Sequence, residues 1–272
     1  MSLLHYDFMQ NALAAGVLAG IACGVVGTYV VVRRMVFISG GLSHATFGGI
    51  GLAYYLGFDP LLGALIFAVG GAMGIGTAAQ RTRLSEDTAI GVLWASGMAL
   101  GVVFVGLASG YAPDLFSYLF GNILTVRAGE LLTMLALDAI IVIIVVAFYK
   151  EFLAISFDEE FARVEGMPSR VLDLLLLGLV ALTIVTVIRV VGIVLVIALL
   201  TIPPAIARYY TTSLSRMMLL SVAIGICLSV AGLFLSYVLD IASGATIILL
   251  GSAVLLCVLL VRRMREAANG KA

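Results

Sequence analysis

Nine apolar stretches, each close to the length of a bilayer crossing, follow one another between residues 10 and 261 with only short polar breaks. They run over 10–32, 36–57, 61–80, 87–109, 128–149, 170–188, 190–207, 217–239 and 243–261. A spanning helix needs about 20 mostly apolar residues. Lipid offers backbone N–H and C=O groups no partner, so runs of this length are satisfied as helices. The expected fold is all-α: a polytopic transmembrane helical bundle of about eight or nine membrane segments, with a merger between 170 and 207 as the alternative to nine. Charged residues make up 11% of the chain, less than half the roughly 25% of a soluble domain. No polar linker or low-complexity tract divides residues 1–272, so a single transmembrane domain is expected. The opening MSLLHYDFMQN has no Lys or Arg before the first apolar run. It lacks the basic start of a cleaved secretory signal, and the first run reads as a retained membrane helix.

Basic residues mark the cytoplasmic ends of such helices. With Arg262, Arg263 and Arg265 inside, alternation also puts Arg33, Arg34, Arg81, Arg83, Lys150, Arg163, Arg170, Arg208, Arg216 and Lys271 inside. Of the 15 Lys and Arg residues, only Arg127 and Arg189 are then left outside. The N-terminus is accordingly expected out and the C-terminus in. The outer turns carry Asp59, Asp114 and Asp240 and no base. These acids either form a weakly cation-attracting mouth or simply cap helix starts.

The stretch Lys150–Ser169 is the longest outside the apolar segments. Asp158 is placed to cap a short helix, Glu159 and Glu160 fill its first turn, Gly166 ends it and Pro168 blocks continuation. Phe157, Phe161 and Val164 fall on one stripe. Membrane-surface helices are rich in Lys and Arg. This acidic one, on the inner side, points instead to docking in a partner's groove.

Ionisable groups at lipid depth are functional candidates. His44 sits in Ser39-Gly-Gly-Leu-Ser-His44-Ala-Thr-Phe-Gly-Gly49. Imidazole ligates zinc and other divalent transition metals, while a neutral histidine bonded across a helix pair is the alternative. Asp138 lies mid-span in the fifth segment and needs a partner, a cavity or a proton. Asp173 and Asp87 lie nearer the inner ends. Thr201-Ile-Pro-Pro204 removes two backbone donors, so a kink or re-entrant piece is expected there. Gly70 and Gly74 form a GxxxG step of the kind that brings helices close in lipid. Trp94 reads as an ordinary membrane residue, and Cys23, Cys227 and Cys257 read as small buried apolar side chains.

No GxxxxGK[ST] loop occurs, and neither Lys150 nor Lys271 fits one, so the chain has no phosphate loop for ATP. HExxH and GxSxG are absent too. An enzyme is a poor reading. A net charge of zero decides nothing by itself about nucleic acid, and none is expected as a partner of a chain embedded in lipid.

Five ordered blocks resemble the membrane permease subunits of ABC importers for zinc, manganese or iron. They are Arg33-Arg-Met35 with Ile38-Ser-Gly-Gly-Leu-Ser-His44-Ala, Asp114-Leu-Phe-Ser-Tyr-Leu-Phe-Gly121, Phe157-Asp-Glu-Glu-Phe-Ala-Arg163 with Gly166, Ile197-Ala-Leu-Leu-Thr-Ile-Pro-Pro-Ala205, and Asp240-Ile-Ala-Ser-Gly-Ala-Thr246. The resemblance implies a homodimer in the inner or plasma membrane of a prokaryote. It also implies two cytoplasmic ATP-binding-cassette ATPase subunits, which carry the ATP, and an extracytoplasmic metal-binding protein. Residues 157–166 become the coupling helix, including Arg163. The chain itself holds no cofactor and passes a divalent zinc or manganese ion, with iron the third candidate. Many relatives carry Asp four residues before the histidine, on the same helical face; here that position is Gly40. Ser39, Ser43 or Asp138 would then assist His44, and the thinner oxygen set leans toward zinc. A permease for a siderophore or cobalamin, an ion-coupled secondary transporter using Asp138, and a docking scaffold are the rival readings.

Overall fold

The computed structural model describes residues 6–81, 85–108, 121 and 123–269. Among these residues ten α-helices follow in order: α1 (Asp7–Val32), α2 (Val36–Leu56), α3 (Pro60–Arg81), α4 (Glu86–Leu107), α5 (Ala128–Ala147), α6 (Tyr149–Phe157), α7 (Glu159–Val164), α8 (Ser169–Arg208), α9 (Leu214–Leu239) and α10 (Ser243–Asn269). Among the described residues, eight helices are long and apolar enough to cross a membrane. Arg83, Asp114 and Lys271 lie outside the described residues.

The eighth helix decides the topology. Drawn straight, its 40 residues would reach about 60 Å at 1.5 Å per residue, so its ends could not meet the same neighbour. They do meet it. Near its start, Asp173 pairs with Arg33 at the end of α1, and near its finish Ala205 and Arg208 share a cleft with Val31 of α1. Midway, Arg189 reaches Glu130 at the start of α5, the end where Asn11 of α1 bonds the Val126 carbonyl. The helix therefore turns back on itself. The turn is Gly192, whose φ of 80° and ψ of 165° are non-helical and belong to a region essentially reserved for glycine. Its arms, 169–191 and 193–208, match the two segments expected at 170–188 and 190–207. The two arms are thus separate passes that meet at Gly192. Asp7 and Asn269 consequently lie at opposite ends of the bundle.

Lipid gives helices no hydrophobic reason to associate, so close backbone approach and van der Waals contact must hold them. Two glycine seams supply this. On α1, Gly16, Gly20 and Gly24, spaced four apart, face Ser229, Ile226 and Val222 of α9; a Cβ on Gly24 would stand 2.6 Å from the Val222 nitrogen. On α2 and α4, Gly48 faces the Gly97 carbonyl at 2.8 Å from its Cβ position, and Gly51 faces Gly101. The expected GxxxG step at Gly70 and Gly74 is not such a seam: a Cβ on either meets open space. It lies on an outward face of α3, which packs on α2 through Gly63 and on α8 through Gly76.

The arms of α8 join two groups of helices. The first packs on α3, with Leu174 and Leu177 against Gly76, and reaches Ile50 of α2. The second packs on α1, α9 and α10 through Leu200, Pro203 and Ile202. At Thr201–Pro204, where a kink or re-entrant piece is expected, the helix runs on through both prolines to Arg208 without a re-entrant break. Pro204 has no N–H to offer the Leu200 carbonyl, and that oxygen rests against Gly27 of α1 instead. Thr201 donates its hydroxyl to the Ile197 carbonyl at 2.8 Å.

Candidate functional site

The α2–α4 seam positions the expected ligand. With glycine at positions 48, 51, 97 and 101 the two backbones close up, and the His44 ring lies flat on Trp94 of α4. Their centroids are 4.4 Å apart and their planes 12° from parallel. The histidine is half-buried, and its Nδ1 is buried with no hydrogen-bond partner in the protein. An unclaimed ring nitrogen is the atom a metal needs. Trp94, read from sequence as an ordinary membrane residue, is the wall of this site. Nothing in its spacing distinguishes it from a lipid-facing tryptophan.

Gly40, one turn before His44, also faces Trp94, whose ring edge would stand 3.7 Å from an added Cβ. Ser39 and Ser43 are fully buried. Each donates its hydroxyl to its own helix, Ser39 to the Val36 carbonyl and Ser43 to the Ser39 carbonyl, both at 2.8 Å. Their oxygens keep lone pairs as acceptors. Among the described residues there is no group of three or more His, Cys, Asp or Glu able to hold a metal.

Asp138 is 3% exposed, and neither carboxylate oxygen has a partner. It shares a buried face of α5 with Met134, Ile141 and Val145. That helix packs on α1 and α8, whereas α2 packs mainly on α4, α3 and α8. The structure therefore does not bring Asp138 to His44.

Of the acids expected at the outer mouth, Asp59 caps α3, accepting from the Leu61 N–H at 2.7 Å. Asp240 ends α9 in a left-handed conformation with φ 52°. Asp114 lies outside the described residues.

The expected 157–166 helix is shorter. Phe157 ends α6, the chain breaks at Asp158 (φ −151°, ψ 92°), and α7 covers Glu159–Val164. Asp158 caps it, accepting from the Phe161 N–H at 2.8 Å. Arg163 reaches back to Glu159 at 2.7 Å, Glu160 completes the acidic first turn, and Gly166 closes the turn with φ 78°. Phe157, Phe161 and Val164 are 66%, 57% and 84% exposed, so this stripe contributes nothing to the protein's own core.

A further cavity of about 330 Å³ opens at the other end of the bundle, between α3 and α5 over the first arm of α8. Arg127, Glu130 and Arg189 line it. Sequence reasoning flagged both arginines only as exceptions to the charge rule.

Residues 5–262 match the family model described as ABC 3 transport family. An uncharacterized membrane protein of Synechocystis sp., slr2045, is 48% identical over 260 residues, 96% of this chain and 92% of that protein. The manganese transport system membrane protein MntC of Listeria innocua is 35% identical over 252 residues, 93% and 90% of the two chains. The solved structure of PsaBC from Streptococcus pneumoniae in complex with Fab superposes with a TM-score of 0.86 at 36% identity. That match covers 94% of this chain and 92% of the other.

Proposed function

The chain belongs to the ABC 3 transport family, and we propose that it is the membrane permease through which an ATP-driven importer moves a divalent transition metal into the cytoplasm. Hydrolysis of ATP belongs to a separate cytoplasmic ATPase, and an extracytoplasmic binding protein delivers the ion. The bundle end bearing Arg33, Arg208, Arg262 and α7 faces the cytoplasm, in keeping with the positive-inside rule. There the exposed Phe157–Phe161–Val164 stripe docks into the ATPase.

The observation that carries the metal reading is His44: an imidazole at lipid depth with a buried, unclaimed Nδ1. Buried polar groups are ordinarily bonded, so an orphan nitrogen here suits a transient ligand. One imidazole with the Ser39 and Ser43 oxygens binds loosely, which a transport site requires if it is to release its ion. A second copy of the chain, forming a homodimer, would add donors. Manganese is the cargo named for the Listeria innocua relative. Glycine at position 40 removes an oxygen ligand and leans toward zinc. Asp138 contributes away from His44, as an acid whose protonation offsets charge crossing the bundle.

The test is metal-stimulated ATPase activity of the chain co-purified with its ATPase and binding protein in nanodiscs, with manganese, zinc and iron in turn. Stimulation by one metal in the wild type, abolished by His44→Ala with the complex intact, supports the reading. Native-rate stimulation in the variant removes His44 from the pathway, and stimulation by no metal removes the substrate class.

A further inference from the structure

Arg127 and Arg189 are the two bases that break the charge rule, and they come from distant parts of the chain to one cavity. Arg127 stands at the start of α5 and Arg189 just before the Gly192 turn; both line the 330 Å³ space between α3 and α5. One acid serves the pair. Glu130 gives one oxygen to Arg189 Nε at 3.3 Å and the other to the Arg127 backbone N–H at 3.1 Å. The Arg127 guanidinium has no ion-pair partner among the described residues. Counted over the described residues that line it, the charged rim therefore carries one net positive charge.

Further along α5 the wall turns apolar at Met134 and Leu137, past Thr133, and Leu61 at the start of α3 adds hydrocarbon beside Arg189. Charge at the rim with hydrocarbon next to it is the profile of an amphiphile. A divalent cation would be repelled from this rim, so the cavity lies off the cation's path.

We propose that the cavity binds a singly charged phosphate diester, the headgroup of an anionic phospholipid, with the Arg127 and Arg189 guanidiniums on its oxygens and the first acyl carbons against Leu61 and Leu137. Guanidinium matches phosphate in shape and charge and holds it by paired N–H bonds. Basic pockets between transmembrane helices hold anionic headgroups elsewhere by the same physics. Net charge of the rim favours phosphatidylglycerol over zwitterionic phosphatidylcholine, although both carry phosphate. The lipid would fill the gap between α3 and α5 and brace the Gly192 turn beside it.

Native mass spectrometry of the delipidated permease–ATPase complex, titrated with phosphatidylglycerol, phosphatidylcholine or inorganic phosphate, tests this without reference to metal transport. Expected is retention of phosphatidylglycerol, with affinity about tenfold lower in Arg127→Gln and largely kept in Arg127→Lys. Thermal melting checks that both variants remain folded. Competition by inorganic phosphate at similar concentration would keep the phosphate site but assign it to a free anion. Equal retention of both lipids, or no change in Arg127→Gln, overturns the proposal. So does loss of binding-protein affinity in Arg127→Gln without any lipid effect, which would make the rim a docking site for acidic side chains.

Discussion

The His44 imidazole lies face to face with the Trp94 indole, 4.4 Å away and 12° from parallel. A stacked pair of this kind contributes about 0.5–1.5 kcal/mol beyond burial. It also fixes the ring plane, and so the direction in which its free nitrogen points. Trp94→Phe should keep the stack and leave metal-stimulated ATPase activity close to native. Trp94→Ala should raise the metal concentration for half-maximal stimulation about three- to tenfold, the equivalent of that energy. A titration of ATPase activity with metal separates the two variants.

Restoring an acid at position 40 should tighten the site. A Cβ there meets the Trp94 ring edge at 3.7 Å, ordinary contact, so Gly40→Asp is sterically accepted on the His44 face of α2. A carboxylate one turn before the imidazole adds a charged oxygen ligand and should shift preference toward manganese. Metal retained by the purified variant after dialysis, assayed by elemental analysis, is expected to rise, and turnover to fall as release slows. Unchanged retention would place the metal away from this helix face.

The reversal in α8 depends on one residue. Alanine at 192 would have to adopt φ 80° and ψ 165°, at a cost of about 1–3 kcal/mol. Gly192→Ala should lower the thermal midpoint of the purified complex by about 2–4 °C per kcal/mol. Gly74→Ala, whose Cβ meets open space within a helix, should be neutral or slightly stabilising, because alanine is the better helix former. Equal midpoints for both variants would mean the turn tolerates a side chain.

Phe161 is 57% exposed on α7, so truncating it costs the fold little. Phe161→Ala should leave expression and melting unchanged while reducing co-purification of the ATPase, as expected for an anchor residue at an interface. Pull-down against a tagged ATPase reads this directly; undiminished capture would remove the stripe from the interface.

Hydropathy alone made the membrane helices legible, including both arms of α8, because each arm is long and apolar enough to register separately. Side-chain neighbours were not legible. The Gly70–Gly74 step and the Gly16–Gly20–Gly24 series have the same spacing, and spacing does not say which face of a helix turns inward. Only the second meets another backbone. His44 stands out in the sequence by residue type and depth, whereas its contact with Trp94 does not, since a stack between helices leaves no periodic trace in either. Asp138 was placed mid-span, but which helix α5 packs on is decided by the path of α8. The Phe157–Val164 stripe and the Asp158 cap were both visible, whereas the helix Tyr149–Phe157 just before that cap was not.

The two helix groups are stitched together at opposite ends of the molecule. At one end the short Arg33–Met35 turn links α1 to α2, and the Arg33–Asp173 pair clasps α1 to the first arm of α8. At the other, Gly192 is the sole residue between that arm and the second. The ion pair and the glycine turn are thus two ties between the same helix groups, placed a membrane's thickness apart. A change of backbone angle at Gly192 would displace the two arms most at the Arg33 end, where the Arg33–Asp173 pair opposes it.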